Sequence, residues 1–327
     1  MKEIPFSNIL AALAEPDRAF PSRYLSRLSD LDGNDLVAFV QTWAHVSLAH
    51  KRTLLKNLTD HFEDDNIVSF ETIATKLLQD DDGEIRTQAL KLLDETIDTR
   101  LIPTLVKMIQ TDPEPEARAR AATVLGQFVQ MGEMGELQDG KRELVEETLL
   151  KAANHENTSV ARAALEALGY SSRPELDQLI KTAFNRPDPL WQAAALFAAG
   201  RSADNRWQEQ IITGLLSEDV PVRLVAVQSA GELELKAARK PLLDMLEDEL
   251  DDDVFQAIIW SLSQIGGEDV RTFIQALLAE AEDDDQIEYL EDALANLSFT
   301  EDMEEFNMLA FNPDDEFDED DDDDEKE

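Results

Sequence analysis

Residues 160–169 read VARAALEALG, and the spacing inside that stretch decides the fold. Val160 is followed by Ala164 four positions on, by Leu168 eight on, and then by Gly169. Steps of four and eight place these side chains on one face of a helix. The same spacing recurs upstream as Ile85, Ala89, Leu93, Asp94 and as Ala117, Ala121, Leu125, Gly126. Downstream it recurs as Trp191, Ala195, Ala199, Gly200, then Val222, Ala226, Ala230, Gly231, then Val254, Ile258, Leu262, Ser263. A seventh and degenerate copy reads Ile287, Glu291, Ala295, Asn296, with an acid where the pattern expects Ala. The first residues of the copies lie 32, 43, 31, 31, 32 and 33 apart. A period this steady marks an array of repeats.

The Ala of the pattern lets a neighbouring helix come close, and the Gly or Asn that ends it is expected to supply a left-handed C-cap. A second amphipathic segment precedes each copy, such as Leu176, Leu179, Ile180, Phe184. Acidic or turn residues separate the two, as in Asp80-Asp81-Asp82-Gly83 and Ser217-Glu218-Asp219. Each repeat therefore reads as an outer helix, a tight turn rich in N-cap residues, and an inner helix. No pair buries its apolar face alone, so neighbours must stack to make a core. The predicted fold is an all-α, right-handed α-solenoid of stacked helix pairs with a disordered acidic C-terminal tail.

The chain divides accordingly. Residues 1–66 are expected to form divergent helices that cap the array, marked by Leu36, Phe39, Val40, Trp43 and by Leu54, Leu55, Leu58. Residues 67–298 hold the seven repeats, with an insertion near 129–140 expected to lie in a loop. Residues 299–311 mix acids with Met303, Phe306, Met308, Leu309 and Phe311, which leaves a capping helix and a docking motif both open. Residues 312–327 hold twelve acids and Lys326, a stretch too polar to bury a core.

Composition agrees with a helical array: 43% of residues are hydrophobic but only 6% aromatic, and there are 12 Gly and 12 Pro. The net charge is −42, and −31 of it remains without the last sixteen residues. Such a field repels nucleic acid and anionic lipid and favours basic or amphipathic protein segments. With no cysteine there is no disulfide framework and no thiolate chemistry, as in a cytoplasmic protein. No apolar window is long enough to span a membrane.

The strings VARAALEALG (160–169), VRLVAVQSAG (222–231) and VFQAIIWSLSQIGG (254–267) resemble the short HEAT repeats of bilin lyase-like proteins. The resemblance covers roughly residues 68–298 and implies the solenoid fold. Relatives by resemblance include lyases, hydroxylases, DNA glycosylase-like proteins and plain scaffolds, so it leaves function open.

Hydroxylases of this type hold two irons with several His-Glu dipeptides, whereas this chain has one, His155-Glu156, in a turn. His45 and His50 sit five apart and face different ways. The acidic runs 251–253 and 283–285 precede inner helices, where N-capping accounts for them. Neither a Gly-rich phosphate loop nor a nucleophile elbow is present. No catalytic, metal or cofactor-binding residue is therefore assigned, and no cofactor is expected. Arg86, Arg118 and Arg223 recur in phase with the acidic turns, Asp82 before Arg86 and Asp219 before Arg223, and are expected to join repeats in an Asp–Arg network.

The seventh position of each inner unit points away from the core stripe: Lys91, Thr123, Glu166, Phe197, Gln228, Trp260 and Ala293. Phe197 and Trp260 stand out, either as core between adjacent inner helices or as anchors for a partner. The expected function is a non-catalytic protein-binding scaffold or adaptor that uses the concave face. By resemblance alone, a lyase- or hydroxylase-like enzyme is the alternative. A third reading is a chaperone for basic proteins acting through the acidic tail.

Overall fold

The turn residues begin their helices as their side chains require. Asp82 Oδ1 accepts from the Ile85 N–H at 3.1 Å, Asn157 Oδ1 from Ser159 and Val160, and Asp251 Oδ1 from Val254 at 3.1 Å. In the computed structural model, which describes residues 4–15, 18–64, 67–246 and 248–310, every regular element is a helix. The acidic run 312–327 lies outside the described residues.

Two compact units divide at residues 203 and 204. The first opens with α1 (Phe6–Ala14), a 3-10 segment (Ser22–Leu28), α2 (Gly33–Trp43) and α3 (Leu48–Asp64). Four pairs follow: α4 (Glu71–Leu77) with α5 (Gly83–Lys91), α6 (Ile102–Thr111) with α7 (Pro115–Glu133), α8 (Asp139–Ala152) with α9 (Thr158–Ala167), and α10 (Glu175–Phe184) with α11 (Pro189–Arg201). The second unit holds α12 (Gln208–Leu215) with α13 (Val220–Glu232), α14 (Arg239–Met245) with α15 (Asp252–Ile265), and α16 (Glu268–Glu280) with α17 (Asp284–Ala310). Inner helices pack on inner helices, α3 on α5, α5 on α7, α7 on α9 and α9 on α11; in the second unit α13 packs on α15 and α15 on α17.

The glycines of the repeat do not cap these helices. Gly200 and Gly231 lie inside α11 and α13, and the left-handed residues come three later, at Ala203 and Glu234. At Gly169 and Gly231 the next inner helix approaches the glycine backbone closely. A Cβ at Gly169 would lie 3.1 Å from the Ala198 Cα, and one at Gly231 would lie 2.9 Å from the Ser261 Cα. Ser261 in turn donates to the Val227 carbonyl across the same seam at 2.9 Å.

Two further expectations are corrected. The segment expected to loop is helical to Glu133, because Phe128 and Val129 are buried and continue the apolar stripe of α7; only residues 134–138 join it to α8. Among the described side chains of α17 the buried ones are Leu290, Ala293 and Leu297, while Glu291 and Ala295 are exposed. The last helix has thus turned away from the repeat register, and Asn296 ends nothing, since α17 runs on to Ala310. Ala293, expected to point outward, is core for that reason.

The arginines join repeats, but to different carboxylates from those expected. Arg86 forks onto Asp112 of the next turn, at 2.8 and 2.6 Å, and its third nitrogen donates to the carbonyls of Asp80 and Asp81. Arg223 repeats the arrangement, with two 3.0 Å bonds to Glu249 and two to the carbonyls of Ser217 and Glu218. The fork holds the Glu249 carboxyl below its ordinary range. One guanidinium thereby closes the turn before its own helix and fixes the turn of the following repeat.

Arg118 reaches only the carbonyl of Asp112, and its Nε is buried without a partner. Five residues before α9's Val160, where Asp112 and Glu249 stand in their own turns, the chain has His155. His155 Nδ1 accepts from the Asn157 N–H as Asp112 does from Glu114, but the ring offers no carboxylate. A second incomplete contact joins Arg120 to Asp94, leaving Asp94 Oδ1 and Arg120 Nε unpaired. Burial pushes the Asp94 carboxyl up to about 6 against the pull of Arg120 and Lys91.

Four substitutions test these contacts by thermal unfolding. Gly231→Ala is expected to lower Tm although Ala favours a helix, because overpacking costs about 1–3 kcal/mol. Gly140→Ala, with open space around it, should not lower Tm. His155→Asp should raise Tm by completing the Arg118 fork, and an unchanged or lower Tm would show that the fork cannot form there. The folded chain holds the Asp94 proton more tightly than an unfolded chain does, so ionisation costs stability as pH rises from about 4 toward about 6. Asp94→Asn, which keeps an acceptor for Arg120, should raise Tm at neutral pH, with the gain vanishing near pH 4.

Candidate partner-binding surface

Residues at the outward position of the inner helices differ in what surrounds them. Thr123, Gln228 and Trp260 are exposed, while Lys91, Glu166 and Phe197 are half-buried. Trp260, on α15, is 41% exposed, too open to be core. Its ring lies 6.5 Å from that of Tyr289 on α17. The Tyr289 hydroxyl donates to the Gln256 carbonyl at 2.6 Å, which fixes that ring across the seam between α15 and α17. Burial holds the phenol above its ordinary range, so it stays a neutral donor.

Beside these rings the seam opens into a depression of about 680 Å³. Phe255, Ile259, Tyr289 and Leu290 supply its apolar lining, and Glu249, Asp252, Asp283 and Asp285 stand around them. Alternation follows from the two helices: the first turns of α15 and α17 are acidic, to suit the helix dipole, and the next turn presents the apolar face. The sequence pattern singled out Trp260 but missed Tyr289, which sits in the copy whose register has turned. The hydrophobic residue spacing in α17, Leu290, Ala293 and Leu297, was the signal that could have placed it.

Phe197 has a different setting in the first unit. The Arg201 guanidinium lies 4.0 Å from its ring and 5.0 Å from that of Tyr170. Arg186 lies 3.9 Å from the Trp191 ring, which Arg162 also approaches at 6.0 Å. Glu166 sits near Arg162 and Arg201, yet burial outweighs them and holds its carboxyl above the ordinary range. Phe197 is thus covered by a cation of its own chain, while Trp260 is not. Phe197 and Trp260 belong to separate units, each with its own surroundings.

His155, the one histidine followed by Glu, spends its Nδ1 on the turn, and Glu156 is exposed. Among the described residues no three His, Asp or Glu side chains group as metal ligands. No described helix is long and apolar enough to cross a membrane.

The profile of HEAT repeats matches residues 71–139 and 209–295. The chain matches none of the curated protein sequences. Among solved structures it is similar to the CpcE–CpcF complex of phycocyanin lyase from Nostoc sp. PCC7120, at 16% identity and a TM-score of 0.51, over 91% of this chain and 99% of that one. It also resembles YibA of E. coli, at 16% identity and a TM-score of 0.42, over 90% and 98% of the two chains. Yeast importin-beta (Kap95p) is similar at 13% identity and a TM-score of 0.46, over 89% of this chain and 46% of that one. At these identities the likeness is one of fold. Helix pairs, stacked inner helices and the two matched stretches together make this chain a HEAT-repeat protein.

Proposed function

We propose that this protein is a non-catalytic scaffold or adaptor that binds a basic or amphipathic segment of a partner protein on the open face of its inner helices. The observation that carries the reading is Trp260, 41% exposed beside Tyr289 and an apolar depression in an acidic surround. Large aromatic side chains left open on a polar surface are the usual anchors of protein recognition. The acidic field steers basic partners to this face and disfavours nucleic acid. Phe197 is a secondary contact in this reading, available once Arg201 moves off its ring.

The competing enzyme reading rests on resemblance to lyases and hydroxylases, and the chaperone reading rests on the acidic tail. One affinity purification from native cells separates all three, using the full chain, the 1–311 truncation and Trp260→Ala. The scaffold predicts a specific protein partner kept by the truncation and lost with Trp260→Ala, while Tm stays within a few degrees. Basic proteins lost only with the truncation would make the tail the functional element. A retained pigment or metal with no protein partner would make the chain an enzyme.

A further inference from the structure

The charge of this chain is strongly polarised. Residues 241–310 carry twenty-one acidic side chains and one cation, Arg271, a net of −20, whereas residues 1–240 together carry −11. Arg271 is itself held by Glu301 and Ser298. The depression between α15 and α17 opens within this most acidic part of the protein.

Its four surrounding carboxylates are not equivalent. Glu249 is held by the Arg223 fork, and Asp283 accepts from the Asp285 and Gln286 N–H groups at the start of α17. Both are consumed by the fold. Asp252 and Asp285 are exposed, and among the described residues neither carboxylate has a cation within ion-pair distance. Between them lies the apolar lining of Phe255, Ile259 and Leu290, closed on one side by the fixed Tyr289 ring. A volume of about 680 Å³ is in the range of pockets that enclose a small organic ligand, ample for one or two bulky side chains.

We infer that this slot seats a large apolar side chain of an amphipathic partner segment whose flanking lysines or arginines pair with Asp252 and Asp285. The inference rests on the scaffold reading and gives it an address. An apolar floor alone would accept any hydrophobic segment, and the carboxylates alone any cation. Their juxtaposition selects a segment that carries both. Trp260 covers the seated side chain at the edge of the slot, next to Tyr289.

The test uses a fluorescently labelled helical peptide of alternating lysine and leucine faces, titrated with the full-length chain and followed by anisotropy. Matched peptides replace every lysine by glutamate or every leucine by serine. Asp252→Asn with Asp285→Asn should weaken binding about tenfold at low salt, the effect of losing two ion pairs at the rim of a seated residue. Gln256→Trp, at an exposed position beside the slot, should weaken binding similarly by filling its mouth. Glu116→Gln with Glu156→Gln changes the net charge equally in the first unit and should alter affinity less than twofold. Both substituted peptides should bind at least tenfold more weakly, and the 1–311 truncation should bind as the full chain does.

Equal weakening by the two charge-matched double variants would reduce the effect to bulk charge and overturn the slot. Loss of binding only in the truncation would move the site to the tail and overturn it as well. If the slot variants leave affinity unchanged while Trp260→Ala removes it, the scaffold reading stands and the slot does not. No binding of the lysine–leucine peptide to the full-length chain would remove both.

Discussion

The inner helices touch through backbone, and most other features of the fold are consequences of that closeness. At Gly126, Gly169 and Gly231 the Cα of Ala167, Ala198 and Ser261 on the following inner helix comes within 3.3, 3.1 and 2.9 Å of where a Cβ would stand. Helices this close bury little area per residue, so the seams between inner helices rely on many small contacts. That is why a chain with 43% hydrophobic residues needs only 6% aromatic ones. Trp260 is left outside because a seam lined by Ser261 and Gly231 has no space for an indole.

Acidic residues serve two purposes that the structure separates. Some are spent on the backbone: Asp82, Asp251 and Asp283 cap helices, and Asp112 and Glu249 receive arginine forks. All are already paired, and all but the exposed Asp283 are buried or half-buried, so they contribute little to the outer field. The remainder, concentrated after residue 240, has almost no cation to meet. A net charge of that size opposes compaction, and the fold tolerates it because the repulsion lies along one end of the chain and faces water. An electrostatic reading based on total charge alone misses this division between structural and available carboxylates.

The period, the helix pairs and the capped turns were all legible in the sequence, because each follows from spacing within one repeat. What was not legible depends on contacts between repeats. A Gly after an apolar stripe reads alike whether it ends a helix or admits a neighbour, and only the approach of Ala198 to Gly169 decides. The Arg86 and Arg223 forks span 26 residues, so pairing them with acids in their own turns was the natural reading of a linear chain. The last copy misled for a related reason. Its stripe follows Ile287, Glu291 and Ala295, but α17, packed on α15 and α16, settles on Leu290, Ala293 and Leu297. That shift brought Tyr289 beside Trp260, a pairing that follows only when the stripe is fitted to Leu290, Ala293 and Leu297.

In the proposed function, recognition falls on a seam between two inner helices, α15 and α17, where aromatic rings lie beside unspent carboxylates. Photocrosslinking tests it most directly: a benzophenone-bearing lysine–leucine peptide is irradiated with the full-length chain, and the adducts are mapped by mass spectrometry. The account predicts adducts at Phe255, Ile259, Trp260 and Tyr289. Adducts confined to residues 312–327, or scattered along acidic turns throughout the chain, would contradict it.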